Sequence, residues 1–548
     1  MNESQTIAPP ATLAQTLTDF SGRDASGRPV SEETGLTPVY WFNQRFPPLA
    51  ELHGEAVNEY VNDKGILLVR GINEDYLAAT LGEAGNPEAP TVYLPAEGRF
   101  YTYSPAEGIY LHQLEESLLQ RVSVMLLECG RACCGTSCDT TALQFRFRNT
   151  ANLRGVIAKA RAILSVDGDY FASNLTEYIP CANGMLRLQD KMLLPFNPSY
   201  RRRNKLAVAF NPSAQCPIFL DTLMRPALDD EDLDLLQRWC GLALIGENYS
   251  QKIVLLTGTP GGGKGTFINV LTGIIGESNL AELRPQLLNE RFEHSQYLGK
   301  TLLYGPDVQE NFLNFNGASR LKSLTGGDPL TLEFKGSNER PSIVGRFNVV
   351  VTCNSRLTVH LEGDKDAWRR RLVIVPYDKP KPVQAITGLA GQIIQSEGSG
   401  VLNWMLGGLD RLKAEGWQLA MNQRQDKLVE NLLLESDGLT MFAQEELERA
   451  AAAKMTVEHC FEAYVNFCSQ RGWAPLTRKQ FLEQIGDAVT REYGLTARHD
   501  IKYGKGKAQR GWIGIQLRGE MSEPEPEPEP PELPLSESRT ARTPLRNS

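Results

Sequence analysis

Four short apolar segments recur between residues 246 and 380, separated by polar, glycine-containing or helical stretches. They are KIVLLT, KTLLYG, FNVVVTCN and RLVIVPY. Apolar runs of this length that alternate with helices and loops are typical of strands in a central sheet. The pattern therefore predicts an α/β domain over residues 246–380.

The preceding region mixes helical and strand patterns. An amphipathic helix is predicted over LHQLEESLLQRVSVMLLE, and strand and turn signals occur in NGMLRL and LLPFNPSY. We interpret residues 96–245 as an α+β or helical domain. Residues 1–95 contain short apolar segments such as GILLVRGI, but no motif with an assignable role.

Three further regions follow the α/β domain. Residues 381–450 are rich in helical patterns and are interpreted as a helical linker or lid. Residues 451–519 predict a winged helix, because two helical segments precede RHDIKYGKGKAQRGWIGIQL, which has the pattern of two strands joined by a glycine-rich wing. The acidic, proline-rich segment EPEPEPEPPELP makes residues 520–548 a disordered tail.

Length and charge narrow the class of protein. A chain of 548 residues exceeds the usual size of one core and suggests several domains. The net charge of −9 does not mark a nucleic-acid binder, so local basic patches have to be considered separately. No uninterrupted apolar run is long enough to span a membrane, and the first residues lack a signal-peptide pattern. We expect a cytoplasmic protein of a bacterial host cell that does not associate with a membrane.

Two small clusters could hold a metal. Cys129, Cys133, Cys134 and Cys138 lie close in sequence, but not at zinc-ribbon spacing, and a small-residue turn after the amphipathic helix is the alternative. Ten cysteines in so long a chain otherwise suit reduced thiols. Asp167 and Asp169 flank a glycine in a manner that resembles a primase metal pair, for which a turn is the alternative.

A phosphate-binding loop directly follows the first strand of the α/β domain. In G-x-x-x-x-G-K motifs, backbone N–H groups and the start of the next helix bind phosphate oxygens, and the lysine adds a positive charge. The motif comprises Gly258, Thr259, Pro260, Gly261, Gly262, Gly263, Lys264, Gly265 and Thr266. A serine or threonine usually follows the lysine and binds Mg²⁺, whereas here Gly265 precedes Thr266. The ending GKGT also resembles adenylate kinases, which leaves a nucleotide phosphotransferase as an alternative.

Polar residues follow the later strands. Asp307 ends KTLLYGPD, at what we expect to be a strand beside the phosphate-loop strand, and Glu310 follows it. Carboxylates in this position hold Mg²⁺ and polarise the attacking water in P-loop ATPases. Asn354 ends the third strand and is a candidate sensor of the bound nucleotide. Arg370 and Arg371 precede the last strand and are candidate arginine fingers.

The ordered set GTPGGGKGT, LLYGPDVQEN, LKSLTGGD, VVVTCN and WRRRLVIVPY resembles superfamily III helicases, in particular the phage and plasmid primase-helicase family with its satellite-phage and poxvirus members. The upstream segments IPCANGMLRL and LLPFNPSYRRRNKLAVAFNPSAQCPIFLDTL resemble the domain before the ATPase in that family. The resemblance spans roughly residues 97–518. It implies an α/β P-loop ATPase core of the AAA+-like type, with the preceding domain and the winged helix.

The resemblance also implies residue roles. Lys264 contacts the β- and γ-phosphates of ATP. Asp307 holds Mg²⁺ together with Thr266, or with a water in place of Thr266, and Asp307 or Glu310 activates water. Relatives often carry Glu at the position of Asp307, so the choice between the two carboxylates stays open. Asn354 is the sensor. Arg370 or Arg371 acts on a neighbouring subunit, which implies a ring and most simply a homo-hexamer.

Candidate DNA contacts lie in two places. In these helicases a β-hairpin between the TGGD turn and the sensor strand points into the ring channel, which makes Lys335 a candidate phosphate contact, with Lys322 as a weaker one. In the winged helix, basic residues open the second helix and populate the wing. They are Arg478, Lys479, Lys502, Lys505, Lys507 and Arg510.

The expected function is an ATP-dependent DNA helicase, with 3′–5′ polarity implied by the family, acting on single-stranded and forked DNA in replication of a phage, plasmid or integrated element. The N-terminal region is too short for the primase domain of some relatives, so a separate primase or replication initiator is an expected partner. The alternative is a DNA-binding initiator or remodelling ATPase that does not unwind DNA.

Overall fold

The computed structural model of this chain describes two compact units, Met1–Leu433 and Leu434–Ser548. The described residues are 22–23, 29–30, 47–61, 63, 67–133, 146–173, 175–309, 312–314, 318–334, 340–354, 365–380, 386–435, 438–471, 473, 475–502 and 507–520.

The first unit opens with small antiparallel sheets and four helices. The helices are α1 Pro47–His53, α2 Glu74–Ala79, α3 Glu115–Cys133 and α4 Thr150–Ile163. Two-stranded sheets pair β1 Gly22–Arg23 with β2 Pro29–Val30, and β3 Val57–Val61 with β4 Leu67–Ile72. Three-stranded sheets are formed by β5 Thr91–Leu94, β6 Arg99–Ser104 and β7 Ile109–Gln113, and by β8 Tyr178–Cys181, β9 Gly184–Arg187 and β10 Met192–Leu194.

These first elements share one core across the sequence limit at residue 95. Leu77 of α2, Leu118 of α3 and Val156 of α4 are fully buried in the same apolar cluster. Strands β5 and β6, which lie on either side of residue 95, pair in antiparallel register. The amphipathic helix α3 is confirmed, but it continues through Cys129 to Cys133. The turn expected over the cysteine cluster therefore does not begin directly after VMLLE, because the apolar face that includes buried Cys129 extends the helix.

The centre of the first unit is a sheet of five parallel strands. Strands β11–β17 are Ile253–Thr257, Leu280–Glu282, Leu302–Gly305, Pro329–Thr331, Ser342–Val344, Asn348–Thr352 and Leu372–Pro376. The order across the sheet is β12-β13-β16-β11-β17, and every neighbouring pair is parallel. The four predicted strands are confirmed as β11, β13, β16 and β17. Strands β14 and β15 form a separate antiparallel hairpin.

Helices cover both faces of the sheet. They are α5 Arg225–Ala227, α6 Asp230–Ile245, α7 Lys264–Ile275, α8 Ala318–Gly326, α9 Lys365–Arg371, α10 Leu389–Ala414 and α11 Gln423–Glu435. Val254 and Leu256 of β11 pack in the cluster with α6, α7 and α10, while Ile253 and Leu255 pack with α8 on the other face. Because successive side chains of a strand point to opposite faces, a strand buried on both sides is apolar at every position. This explains the continuous apolar runs in the sequence.

The second unit combines three helices with a three-stranded sheet. Its elements are α12 Gly438–Glu445, β18 Leu447–Thr456, α13 Val457–Gln470, α14 Arg478–Tyr493, β19 Arg498–Ile501 and β20 Gln509–Leu517. The strand order is β18-β20-β19, with antiparallel pairing. Thr456 caps α13, and Thr477 forms a capping box with Gln480 at the start of α14. The two predicted helices and the two strands flanking the wing are thereby confirmed.

Strand β18 begins within the last residues of the region 381–450, which we interpret from the sequence as a helical linker or lid. Its sequence LERAAAAKMT contains four alanines in a row, and alanine has the highest helix propensity. The segment nevertheless pairs with β20, where Leu447 and Met455 are buried in the core of the unit. Tertiary burial thus overrides the local preference. Among the helices that the structure describes, none combines the length and apolar character needed to cross a membrane.

Candidate functional site

The glycine-rich loop connects the end of β11 to the start of α7. Gly258, Gly261 and Gly263 have positive φ angles of 127°, 86° and 99°. A Cβ atom on Gly258 would lie 2.5 Å from the backbone oxygen of Tyr377. Both the backbone conformation and the space around it therefore require glycine at position 258.

Lys264 is the first residue of α7 and is only 4% exposed. Its Nζ donates to the backbone oxygens of Gly258 at 2.7 Å and Thr259 at 3.0 Å. The lysine thus lies within the curve of the loop, where its positive charge adds to that of the helix N-terminus. Thr266 is half-buried, whereas Gly265 is exposed. A Cβ atom on Gly265 would contact nothing within 4 Å.

Asp307 and Asn354 meet at the carboxyl ends of β13 and β16. The side-chain amide of Asn354 donates to Oδ1 of Asp307. The backbone N–H of Asp307 donates to Oγ1 of Thr352 at 2.7 Å, and that of Val308 donates to the Thr352 oxygen at 2.8 Å. Asp307 has a φ of 49° and is exposed, as is Asn354. The turn after β13 therefore holds the carboxylate against the end of the neighbouring strand.

The order of the strands corrects one expectation about Asp307. The strand that ends before Asp307 is not beside the phosphate-loop strand, because β16 lies between β13 and β11. The parallel register aligns Gly305 and Leu255 with Val351 on either side. The three chain segments that follow these strands therefore all leave the sheet at the carboxyl ends of its strands, with the Asn354 segment in the middle. The glycine-rich loop, the carboxylate and the amide therefore lie at the same end of the sheet as expected, but the strands that precede them have a different order across the sheet.

The two candidate fingers differ in burial. Arg370 is exposed, whereas Arg371 is only 8% exposed. Nη1 of Arg371 donates to the backbone oxygen of Ala367 at 3.1 Å, within its own helix. Its Nη2 would lie 3.0 Å from a Cβ atom on Gly326, which places it against the end of α8. Only Arg370 of this pair is therefore accessible from outside the unit.

Two candidate DNA contacts belong to the region around the β14–β15 hairpin. Lys322 of α8 is half-buried, and its Nζ lies 5.7 Å from the ring centroid of Trp368. The hairpin strands are confirmed by the pairing of Leu330 with Ile343. Lys335, like Glu310 and Lys505, lies outside the described residues, so these three assignments stay predictions.

The basic residues of the second unit are on its surface. Arg478 forms an ion pair with Glu458 of α13. The other described candidates are exposed, namely Lys479, Lys502, Lys507 and Arg510. They occupy the start of α14 and the two sides of the loop between β19 and β20.

The candidate metal clusters have different outcomes. Asp167 lies in a turn in which the backbone N–H of Tyr170 donates to the Asp167 oxygen at 3.0 Å, as the turn alternative predicts. Cys134 and Cys138 lie outside the described residues, so zinc binding by the cysteine cluster stays a hypothesis. Within the described part of the chain, no group of three or more His, Cys, Asp or Glu side chains is arranged to hold a metal ion.

Sequence reasoning missed three residues that contribute to this site. Thr352 orients Asp307, as described above. The backbone oxygen of Tyr377, which is buried, lies close to Gly258 of the loop. The backbone N–H of Tyr377 donates to the Thr257 oxygen at 2.7 Å. Leu223, in a π-helix over Ile218–Met224, would lie 3.2 Å from a Cβ atom on Gly263. Thr352 has a sequence signal, because it is a hydroxyl residue at the end of a strand of valines. The other two have none.

Comparisons with known proteins match two parts of the chain. Residues 139–225 match a family described as D5 N terminal like, and residues 256–371 match a family of unknown function, DUF5906. The search of curated proteins found no match. Among solved structures, the apo C-terminal region of NrS-1 is similar at 12% identity, with a TM-score of 0.45 over 80% of this chain and 99% of that chain. The A form of the same region has 12% identity and a TM-score of 0.41 over 78% and 97%.

The first family match ends at Arg225, before α6 and the glycine-rich loop, and the second begins within β11 and ends at the buried arginine of α9. A D5-like segment therefore precedes a five-stranded α/β core, which supports the resemblance of this chain to the phage primase-helicase family.

Proposed function

We propose that this protein is an ATP-dependent, ring-forming DNA helicase of superfamily III that unwinds DNA during replication of a phage, plasmid or integrated mobile element. One observation carries the proposal. The glycine-rich loop with buried Lys264 lies at the same end of the sheet as the carboxylate of Asp307, which accepts a hydrogen bond from Asn354. The D5-like segment supports a function of the phage primase-helicase type.

The glycine-rich loop at this end of the sheet binds ATP. Its backbone N–H groups and the start of α7 receive the phosphates, and Lys264 reaches from the loop carbonyls to the β- and γ-phosphate oxygens. Thr266 and Asp307 are the residues that would hold Mg²⁺, which when bound neutralises charge on the phosphates. Hydroxyl and carboxylate oxygens are the donors that this hard cation prefers.

The carboxylates that follow β13 orient the attacking water. Asp307 or Glu310 accepts a hydrogen bond from the water, and Asn354 fixes the direction of the Asp307 carboxylate. Because Asn354 lies between the carboxylate and the loop strand, its amide reaches either the water or the γ-phosphate. This position suits a sensor that reports which nucleotide is bound.

Hydrolysis is completed by a neighbouring copy of the chain. Arg370 is the finger in this proposal, because it is exposed while Arg371 is buried against α8. A finger supplied by a neighbour stabilises charge in the transition state and couples hydrolysis around a ring. The assembly is then a homo-hexamer.

DNA is bound in two ways in this proposal. The β14–β15 hairpin carries Lys335 to the backbone of single-stranded DNA in the channel, with Lys322 near its base, and translocation is 3′–5′. The second unit acts as a winged helix in this proposal and contacts the forked duplex with its basic residues. Primers come from a separate primase or initiator.

The decisive experiment measures ATP hydrolysis with and without single-stranded DNA, together with unwinding of forks that carry a 3′ or a 5′ tail. Wild type is compared with Lys264→Ala, Lys335→Ala and the matched control Lys413→Ala, which changes an exposed lysine at the end of α10. We expect hydrolysis to disappear in Lys264→Ala. In Lys335→Ala, basal hydrolysis should remain while DNA stimulation and unwinding are lost.

The control variant should behave as wild type, and only the 3′-tailed fork should be opened. DNA-independent hydrolysis without unwinding of either fork would instead identify a remodelling ATPase. Transfer of phosphate to a nucleoside monophosphate would identify a phosphotransferase.

A further inference from the structure

A cavity lies at the end of the central sheet opposite to the glycine-rich loop. Its volume is about 580 Å³. The floor is formed by residues that precede strands, including Glu247 before β11, Thr301 before β13 and Phe347 before β16. A volume of this size lies within the range of roughly 300–1,000 Å³ that is typical of small-molecule sites.

The opposite wall comes from the first part of the chain. Ala96 and Glu97, from the turn between β5 and β6, and the segment 202–206 line this side. The backbone N–H of Ser342 in the hairpin donates to the Ala96 oxygen at 3.1 Å, which closes the cavity between the two walls. The cavity therefore joins three parts of the first unit: the N-terminal sheets, the central sheet and the hairpin.

The lining combines apolar side chains with an excess of positive charge. Phe171, Ile179, Ile245 and Phe347 supply apolar surface. The lining cations are Arg202, Arg203, Lys205, Lys300 and Arg346, and the lining carboxylates are Glu97, Asp169 and Glu247. These are five cations and three carboxylates, but Lys205 also pairs with Glu107, which is outside the lining. One positive charge is therefore left in excess, so an anion is favoured in this space.

The arginines are fixed in position by the protein itself. Arg203 pairs with buried Glu97 at 2.6 Å, and Nη2 of Arg202 donates to the backbone oxygen of Tyr178. Arg202 is only 4% exposed, and its burial lowers its pKa to about 10, so it stays charged at neutral pH. A guanidinium that stays charged at the cavity wall attracts an anion.

Arg346 stands at the solvent side of the cavity. Its side chain is 55% exposed, and its Nη1 lies 3.5 Å from Oε2 of Glu247. Because more than half of this side chain is exposed, the guanidinium is accessible to a ligand. Planar guanidinium groups suit the oxygens of phosphate, which they bind through two parallel hydrogen bonds.

We propose that this cavity is a binding site for a small organic phosphate of mononucleotide size, separate from the glycine-rich loop. The phosphate lies among the arginines, where the excess of positive charge favours an anion. The ring or sugar of the ligand packs on the apolar wall. The inference does not rest on the proposed helicase function, since no residue of the cavity belongs to the nucleotide loop.

The test uses the full chain with Lys264→Ala, so that binding at the glycine-rich loop is removed. AMP and inorganic phosphate are titrated by calorimetry. We expect saturable binding of AMP, at least tenfold tighter than binding of inorganic phosphate. Adding Arg346→Glu or Lys300→Glu should weaken AMP binding at least tenfold, because each reverses a lining charge. Arg161→Glu is the matched control, since Arg161 of α4 forms a similarly exposed ion pair with Glu115 of α3.

A second readout locates the ligand and guards against misfolded variants. Hydrogen exchange of residues 340–347 should slow when AMP is added, while the melting temperatures of the variants stay near that of Lys264→Ala. Equal AMP binding in all variants would overturn the proposal, as would the absence of AMP binding to Lys264→Ala. Binding of an oligonucleotide without a terminal phosphate, with the same dependence on Arg346, would instead make the cavity a DNA contact and also overturn it.

Discussion

The side-chain amide of Asn354 donates a hydrogen bond to the carboxylate of Asp307 across the ends of two neighbouring strands. The contact links residues that are 47 positions apart in the chain. The backbone of Asp307 has a positive φ, and its N–H donates to Oγ1 of Thr352. The relationship fixes the direction in which the carboxylate can act.

Replacement of Asn354 should reduce ATP hydrolysis without preventing ATP binding. Asn354→Ala removes the donor that orients Asp307, and we expect a loss in turnover on the order of a hundredfold. Asn354→Asp should lose at least as much, because a second carboxylate repels the first. Single-turnover hydrolysis and equilibrium binding of a fluorescent ATP analogue separate the two effects. A large loss of binding with normal turnover would contradict the assigned role.

Gly258→Ala should destabilise the protein, whereas Gly265→Ala should not. At position 258 the new methyl group meets the Tyr377 oxygen and the backbone has a φ of 127°, so we expect a loss of about 2 kcal/mol or more in the free energy of unfolding. At position 265 the methyl group enters open space in the first turn of a helix, where alanine is favoured by about 0.5 kcal/mol. Urea unfolding of the two variants measures the difference. Equal midpoints would show that the close approach does not matter.

The position of the Mg²⁺ ligand can be tested by moving the hydroxyl group along α7. Thr266→Ala should raise the Mg²⁺ concentration needed for half-maximal hydrolysis by about tenfold, since it removes one proposed oxygen ligand. Adding Gly265→Ser places a hydroxyl directly after Lys264, the more common position, in space that is open. Restored Mg²⁺ dependence in the double variant would show that position 265 faces the metal. An unchanged dependence in Thr266→Ala alone would exclude Thr266 as a ligand.

The two neighbouring arginines should fail in different ways. Arg370→Ala should leave the melting temperature unchanged but abolish DNA-stimulated hydrolysis, because an exposed finger acts only on a neighbouring subunit. Arg371→Ala should lower the melting temperature, because it removes a buried side chain that packs against α8.

Mixing distinguishes action in trans from a defect within one subunit. Addition of Arg370→Ala to Lys264→Ala should restore partial activity, since each supplies what the other lacks at a shared interface. No restoration at any ratio would contradict a finger supplied by the neighbour.

Binding of forked DNA should depend on salt through the basic residues of the second unit. Lys479→Ala and Arg510→Ala each remove one exposed cation, so each should reduce the slope of log affinity against log salt by about 1. The loss should be the same for unrelated sequences, because phosphate contacts do not read bases. Lys413→Ala is again the control. An unchanged slope in both variants would show that this surface does not contact DNA.

The sequence by itself determined much of the local structure. The four apolar runs predicted four of the strands in the central sheet, because a strand buried on both faces must be apolar throughout. The glycine-rich loop, the capping box at Thr477 and the strands beside the wing also follow from short-range patterns. In each case the backbone conformation depends on residues within a few positions, so the signal is local.

The tertiary structure alone decided how these pieces combine. It placed β16 between β13 and β11, buried Arg371 while leaving Arg370 exposed, and made the alanine-rich segment of β18 a strand. Strand order depends on how the connecting helices pack across the sheet, and burial depends on partners distant in the chain. The cavity at the other end of the central sheet also depends on partners distant in the chain, because its arginines and its floor come from separate segments. Such long-range packing leaves no periodic trace in the sequence.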